Sequence, residues 1–502
     1  MEFSVLFLVT AGLFFACSGT SSHPKSEPVK PLVKTDSVQQ KTATQPVRND
    51  GIPASYKDIV FPEFKYTAPF PADSRVKISD SITGYVIEDR TLPLIHFNVF
   101  FKDNYVVDSL ADEAAHELLS AMFRRGGSKT LSPQALDDSL EFIAASLAGS
   151  VGTFSSLISV ECLNKDFPQL LSLSKDVFLQ PGFDEKALEI QKANAANAYE
   201  HRFDTPSSIL SALENRVAYY PNPRLWRATA EEFRKVTRDD LVRLSKGRFR
   251  SGRIVFAIAG DFSRDSMVNA LSKYFESWPS DSIVQKAVPP LRQKNQPGIY
   301  LVDKEITQAN ISMSAPFVKR PDPDYYPTAV ASFILGGGSF SSRLMARVRS
   351  DNGLAYSIHS HADNDYRDSG FVTIRLQTKV ESAALAIGLV KEEIQKLAKE
   401  GPTEEELIQA KKTLIESLPS LFDSPASTTV LFAQGELLGK KDSHYIDYVK
   451  AIEAVNANQV KAMIAKYFDP AKLTISIVGP ADKLREVGDF TVIPLDSLDF
   501  RE

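Results

Sequence analysis

"HRFDTPSSI", residues 201–209, and "SLFDSPAST", residues 420–428, are one phrase written twice. Phe203, Asp204 and Pro206 recur as Phe422, Asp423 and Pro425, an offset of 219 (203 to 422). The same offset relates Leu188 to Leu407, Lys192 to Lys411, Val236 to Val455 and Gly260 to Gly479 without a gap. The last pair ends two apolar runs, "RIVFAIAGD" and "KLTISIVGP", each preceded by an amphipathic stretch, "VTRDDLVRLSKGRF" and "VNANQVKAMIAKYF". A fixed long period is the mark of a duplicated unit. It predicts two homologous halves, 61–285 and 296–495, joined by a linker at 286–295 near "PPLRQKNQPG".

Each half repeats one grammar. In the first, "LIHFNVFFKD" alternates with Ile95, Phe97, Val99 and Phe101 on one face, which predicts a strand. "LSPQALDDSLEFIAASL" has helical spacing with Ser132 as its cap, and "SSLISVECL" alternates again, placing Cys162 as a packed core thiol. Strands interleaved with helices predict an α+β fold.

Composition narrows the function. A 502-residue chain that is 43% hydrophobic has ample core for two or more domains. Its net charge of -5 and lack of a long basic run argue against nucleic acid as a partner. Two cysteines, Cys17 and Cys162, make no disulfide framework. Residues 3–16 are apolar, too short to span a bilayer, and end at Ala16 before Cys17. We read 1–17 as a bacterial secretory signal with Cys17 as a lipid-bearing residue; an ordinary cleaved signal, with Cys17 incidental, is the other reading. Residues 18–60, polar and rich in Ser, Thr, Pro and Lys, read as a disordered tether.

"MFRRGGSKTLSPQAL", "FDEKALEIQKANAANAYEHRFDTP" and "FILGGGSFSSRLMARVRSDNGLAYSIHS" together resemble the insulinase/pitrilysin family of zinc peptidases, over about residues 60 to 485. The resemblance implies a clam-shell chamber whose two halves are each a duplicated α/β sandwich unit. Active members carry His-x-x-Glu-His on a first-half helix and a more distant Glu. Two His one helical turn apart plus that Glu leave zinc one open position for water, and the Glu between them is the general base. Carried onto this chain, the two His positions fall on Glu117 and Ala121, the base on Ser120 and the third ligand on Ala198. Alanine has no donor atom, and one Glu does not hold catalytic zinc alone. Moving the register so that His116 comes first puts Leu119 and Ser120 in the other places, which restores nothing.

The family's Arg and Tyr, seven residues apart, match Arg349 and Tyr356 in "RSDNGLAY". There they hold the substrate carbonyl and steady its developing oxyanion, a task suited to a guanidinium and a phenol. The alternative for this pair is a salt bridge of Arg349 to Asp351 or a neighbour, with Tyr356 in the core. Gly336, Gly337 and Gly338 let backbone pass close to another surface and are expected to border substrate; Arg343 reads as structural. The strand around Phe97 and Val99 is expected either to accept a peptide along an exposed edge or to be an ordinary half-buried strand. "HSHADND" offers His359, His361, Asp363 and Asp365 as a rival metal site or as surface polar residues.

Three functional expectations follow. The first is a non-catalytic subunit that binds no metal itself and lends Arg349 and Tyr356 to a zinc-bearing homologous partner acting on short unfolded peptides. It would sit on the periplasmic side of the cell envelope and touch membrane only through a lipid anchor. The second is a scaffold or peptide-binding protein of the same fold. The third is an autonomous peptidase using His116 with Glu113 or Glu117.

Overall fold

The computed structural model describes residues 66–250, 252–279, 286–294 and 296–500. The signal at 1–17 with Cys17, and the tether at 18–60, lie outside the described residues.

The protein is mixed α+β with two six-stranded sheets. The first contains β1 (Arg75–Lys77), β2 (Ile82–Glu88), β3 (Leu94–Phe101), β4 (Ser146–Val151), β5 (Ser156–Leu163) and β6 (Ile254–Gly260), in the order β1-β2-β6-β3-β5-β4. The second contains β7 (Gly298–Asp303), β8 (Gln308–Pro316), β9 (Ala355–Asp363), β10 (Phe371–Lys379), β11 (Thr474–Gly479) and β12 (Thr491–Val492), in the order β12-β7-β11-β8-β10-β9. Five strands run in the same order and with the same senses in both: one parallel pair, then three antiparallel pairs. The sixth differs, since β1 is antiparallel to β2 whereas β12 is parallel to β7. Each half holds one of these sheets.

The two apolar runs form β6 and β11, buried at every residue because both faces of each sheet are covered. The alternating run forms β3, with Ile95, Phe97, Val99 and Phe101 in the first core. Its expected exposed edge is not there. β3 is paired by β5 on one side and β6 on the other, and Phe97 and Val99 are fully buried. The free edge on that side of the sheet belongs to β4. A second correction concerns the helix capped by Ser132, whose Oγ accepts from the Ala135 amide. It ends at Phe142, because Ala144 turns left-handed (φ 49°) and Ser146–Val151 pairs with β5 as β4.

The repeated phrase is a helix start. Helix α1 is Leu110–Arg125, α2 Pro133–Phe142, α3 Glu185–Glu200, α4 Pro206–Tyr219 and α5 Pro425–Leu437. Thr205 Oγ caps α4 at the Ser208 amide, and Ser424 Oγ caps α5 at the Ser427 amide. In each case proline fills the first helical position, where its missing N–H costs nothing. These equivalent helices are exchanged. First-half α4 packs on β7, β8 and β11, while second-half α5 packs on β2, β3 and β6. Ile209, Leu210, Leu213 and Val217 of α4 meet Val302 and Val478; Phe432 and Ala433 of α5 meet Tyr85, Val255 and Ala257. Each helix also plants a glutamate on the other half's sheet. Glu214 accepts from Ser312 Oγ and Arg375, and Glu436 accepts from Thr83 Oγ1 (2.9 Å), Tyr85 OH (2.8 Å) and Arg253 (2.9 Å).

Candidate functional site

Helix α1 starts at Ser109, whose Oγ accepts from the Asp112 amide at 3.1 Å. Acidic Asp112 and Glu113 occupy its first turn and Arg124 and Arg125 its last, matching the helix dipole. Ala114, Ala115, Leu118, Leu119, Met122 and Phe123 turn one face into the core. The opposite face carries the positions that would hold zinc.

They no longer form a donor set. Ser120, expected from the resemblance to stand where a general base would, accepts from the Val151 amide at 3.0 Å and so ties α1 to the end of β4. Ala121 is half-buried and Ala198 on α3 is exposed, and neither has a donor atom. Glu117 is exposed, one turn beyond half-buried Glu113. Burial, together with the Glu117 charge, pushes the Glu113 carboxyl up to about 7, and the Arg227 guanidinium draws it partly back. These residues do not fit zinc, and among the described residues no group of three or more His, Cys, Asp or Glu could hold a metal ion.

His116 is engaged elsewhere. Its ring stacks on Tyr105 with centroids 4.5 Å apart and planes 10° from parallel, and Arg248 sits 4.3 Å over the same Tyr105 ring. Burial, with Arg248 nearby, lowers the His116 pKa to about 3, so the ring is neutral at ordinary pH. Arg248 is paired with buried Asp103 at 3.8 Å, and Asp103 accepts from Ser156 Oγ at 2.6 Å. Cys162 lies in the core, as its strand pattern predicts, and burial pushes its thiol up to about 12.

The second half presents the opposite picture. Arg349 belongs to a π-helical turn, Met345–Ser350, and Tyr356 to β9, the outermost strand of its sheet. Gly353 turns the chain between them with φ +64°. The structure brings the two residues together: the Arg349 guanidinium lies 5.2 Å from the Tyr356 ring centroid. It also lies 4.7 Å from that of Phe340, a residue sequence reasoning missed. Its signal was there, a lone aromatic inside the small-residue run "GGGSFSS". Tyr356 is 84% exposed and Phe340 69%, so Tyr356 is not core. Among the described residues no ion pair holds Arg349. Asp351, the neighbour that could have neutralised it, is exposed and bonds through its backbone to Ala346.

Arg343 behaves differently. It donates to Glu406 at 2.6 and 2.7 Å and to the Gly401 carbonyl at 3.1 Å, and pairs with largely buried Glu393 at 3.4 Å. Gly336 and Gly337 do lie close to another surface, but that surface is β9 of this chain. A Cβ on Gly336 would fall 2.7 Å from the Ser360 amide nitrogen, and one on Gly337 3.3 Å from the Ser360 carbonyl oxygen. A Cβ on Gly338 would meet the Phe333 ring at 3.0 Å. Internal packing therefore accounts for Gly336 without a ligand. His359 and His361 share one exposed face of β9 with ring centroids 5.3 Å apart, and burial lowers both pKa values.

The chain has relatives in both sequence and fold. Residues 235–414 match the family model described as "Peptidase M16 inactive domain". The chain is 26% identical to a protein of Helicobacter pylori named "Non-peptidase homolog YmxG", over 79% of this chain and 91% of that one. A solved M16 inactive domain from Pseudomonas fluorescens shares the fold with a TM-score of 0.70 and 23% identity, covering 81% of this chain and 97% of that one. The periplasmic protease PqqL of Escherichia coli shares it at a TM-score of 0.67 and 14% identity, over 84% of this chain and 48% of that one. Among the described residues no helix is long and apolar enough to cross a membrane. In sequence and fold the chain is thus similar to M16 peptidase-like proteins, including ones described as an inactive domain or a non-peptidase homologue, and His-x-x-Glu-His is absent from its sequence.

Proposed function

We propose that this protein is the non-catalytic subunit of a heterodimeric M16 zinc peptidase, inactive alone, that lends Arg349 and Tyr356 to the site of a zinc-bearing homologous partner. The observation that carries the reading is the half-buried Arg349 guanidinium, free of ion pairs among the described residues and lying close to two exposed rings. A structural arginine such as Arg343 is surrounded by carboxylates; an arginine kept for a ligand is not. The Tyr356 phenol and the guanidinium are donors suited to a peptide carbonyl and to the negative charge it develops.

In this reading the halves 61–285 and 296–495 descend from one duplicated unit and form part of a clam-shell chamber closed by the partner. The substrate is a short unfolded peptide. Its extended backbone has an uncharged edge to add to in β4, whose sequence "SLAGSV" lacks the charges that usually guard such an edge. The chain works on the periplasmic side of the cell envelope, with Cys17 as a lipid anchor.

The test is peptide cleavage by the purified protein, alone and mixed with a zinc-motif relative encoded nearby. Cleavage only in the mixture, lowered roughly a hundredfold by Arg349→Ala, is the expected result. A mixture in which Arg349→Ala changes nothing, or in which no cleavage develops, would replace this reading with a scaffold of the same fold. The dismantled metal site favours that second reading as much as the first.

A further inference from the structure

Beyond β12 the chain leaves the second half and finishes on the first. Ile493 donates to the Leu301 carbonyl at 2.8 Å, which holds the strap's root to the second sheet. Leu498, 2% exposed, then enters the seam between α4 and that sheet, among Ile209, Leu210, Leu213, Val302 and Val478. The next two residues engage groups of the first half. The Asp499 carboxylate, its side chain 2% exposed, accepts from Arg202 through Nε at 3.1 Å and Nη2 at 2.7 Å, and from Tyr199 OH at 2.6 Å. The buried Phe500 ring lies 5.6 Å from Tyr220, and the Phe500 carbonyl accepts from the Arg227 amide at 3.1 Å, forming a one-residue parallel bridge with Trp226.

The receiving groups are organised by the first half itself. Arg202 donates to the Tyr199 carbonyl at 2.7 Å, and its guanidinium lies 3.7 Å from the Tyr199 ring and 4.3 Å from that of Phe203. A guanidinium stacked on aromatic rings with its Nε and Nη2 edge turned outward is a fork for one carboxylate. Apolar seats on either side, one for Leu498 and one for Phe500, define a ligand class: an extended segment with an acidic residue between two bulky apolar ones.

We propose that Leu498–Phe500 is a latch seated in a receptor site for such acidic–aromatic segments, built by the first half with Val302 and Val478 of the second sheet beneath Leu498, closing the seam between the halves beside Ala198. Tyr199 directly follows Ala198, and Arg227, whose amide receives Phe500, is the cation opposite Glu113. The site does not depend on the peptidase-subunit reading; it stands on the strap's own contacts. A segment tethered in cis holds its seat at high effective concentration, so an outside segment of the same class competes only when the latch is weakened.

The experiment uses the full chain carrying Asp499→Ala, followed by amide hydrogen exchange. Exchange at residues 199–204 and 224–228 should quicken at least about tenfold, while β6 stays protected as the internal reference. A synthetic peptide of residues 494–500, "PLDSLDF", should restore that protection, and the same peptide with Ala in place of Asp should not. Unchanged exchange in both segments would overturn the latch, as would a peptide that fails to restore protection at millimolar concentration. Loss of protection in β6 as well would make the strap an ordinary part of the core. If Asp499→Ala does not fold, Phe500→Ala applies the same test while keeping the ion pair.

Discussion

The two halves of this molecule treat their candidate site residues in opposite ways. On α1 of the first half, residues near the places where the resemblance would put zinc ligands serve packing: Ser120 clamps β4, and neighbouring His116 is stacked against Tyr105. At the edge of the second sheet, half-buried Arg349 has no ion pair among the described residues, and the Tyr356 and Phe340 rings beside it are exposed. A side chain absorbed into packing is legible by its partners, and one kept for a ligand by their absence. The contrast between Arg343 and Arg349, six residues apart, puts both behaviours on one short segment.

The largest effect should come from that segment. Arg343→Ala leaves Glu393 and Glu406 without their cation and should cost about 3–5 kcal/mol of folding stability, read by chemical denaturation. Arg349→Ala should change stability by less than about 0.5 kcal/mol. Equal losses for the two would break the comparison, because Arg349 would then also be structural.

The first half gives a pH-dependent effect of intermediate size. The folded-state pKa of Glu113 is raised from 4.5 to about 7, so the folded protein binds the extra proton within that window. Its stabilising contribution is full below about pH 4.5 and lost as pH rises through 7. Glu113→Gln removes this loss, so the melting temperature of the variant should gain on the parent between pH 5 and pH 8. In folding free energy this gain is at most on the order of 3 kcal/mol. A difference independent of pH would show that Glu113 is not titrating there.

Ser120→Ala should be the mildest. It strips the Val151 amide of its acceptor and should cost about 1 kcal/mol. It sharpens the comparison by asking whether Ser120 is kept for structure.

Much of the architecture was legible in residues alone. The offset of 219 placed Thr205-Pro206 and Ser424-Pro425, and a cap followed by proline is a local signal that needs no tertiary partner. Loss of the metal site was equally readable, because alanine lacks a donor in any fold. Arg343 and Arg349 were separable only through the family string around them. The edge assignment failed because strand periodicity reports which face is buried, not which strands lie alongside; the pairing of β3 between β5 and β6 is a non-local choice. For the same reason the helix capped by Ser132 was read too long, since pairing with β5 overrode the helical spacing of its last residues.

What the sequence by itself determined is therefore what local chemistry carries: the strands by alternation, the helix starts by their caps, the missing ligands by residue type. What only the tertiary structure decided is what long-range packing brings together. The exchange of α4 and α5 between sheets, the placing of Phe340 beside Arg349, and the meeting of Asp499 with Arg202 all join segments whose proximity leaves no mark on spacing. Those contacts exist because burying a shared apolar seam outweighs the entropy of closing the chain over such distances.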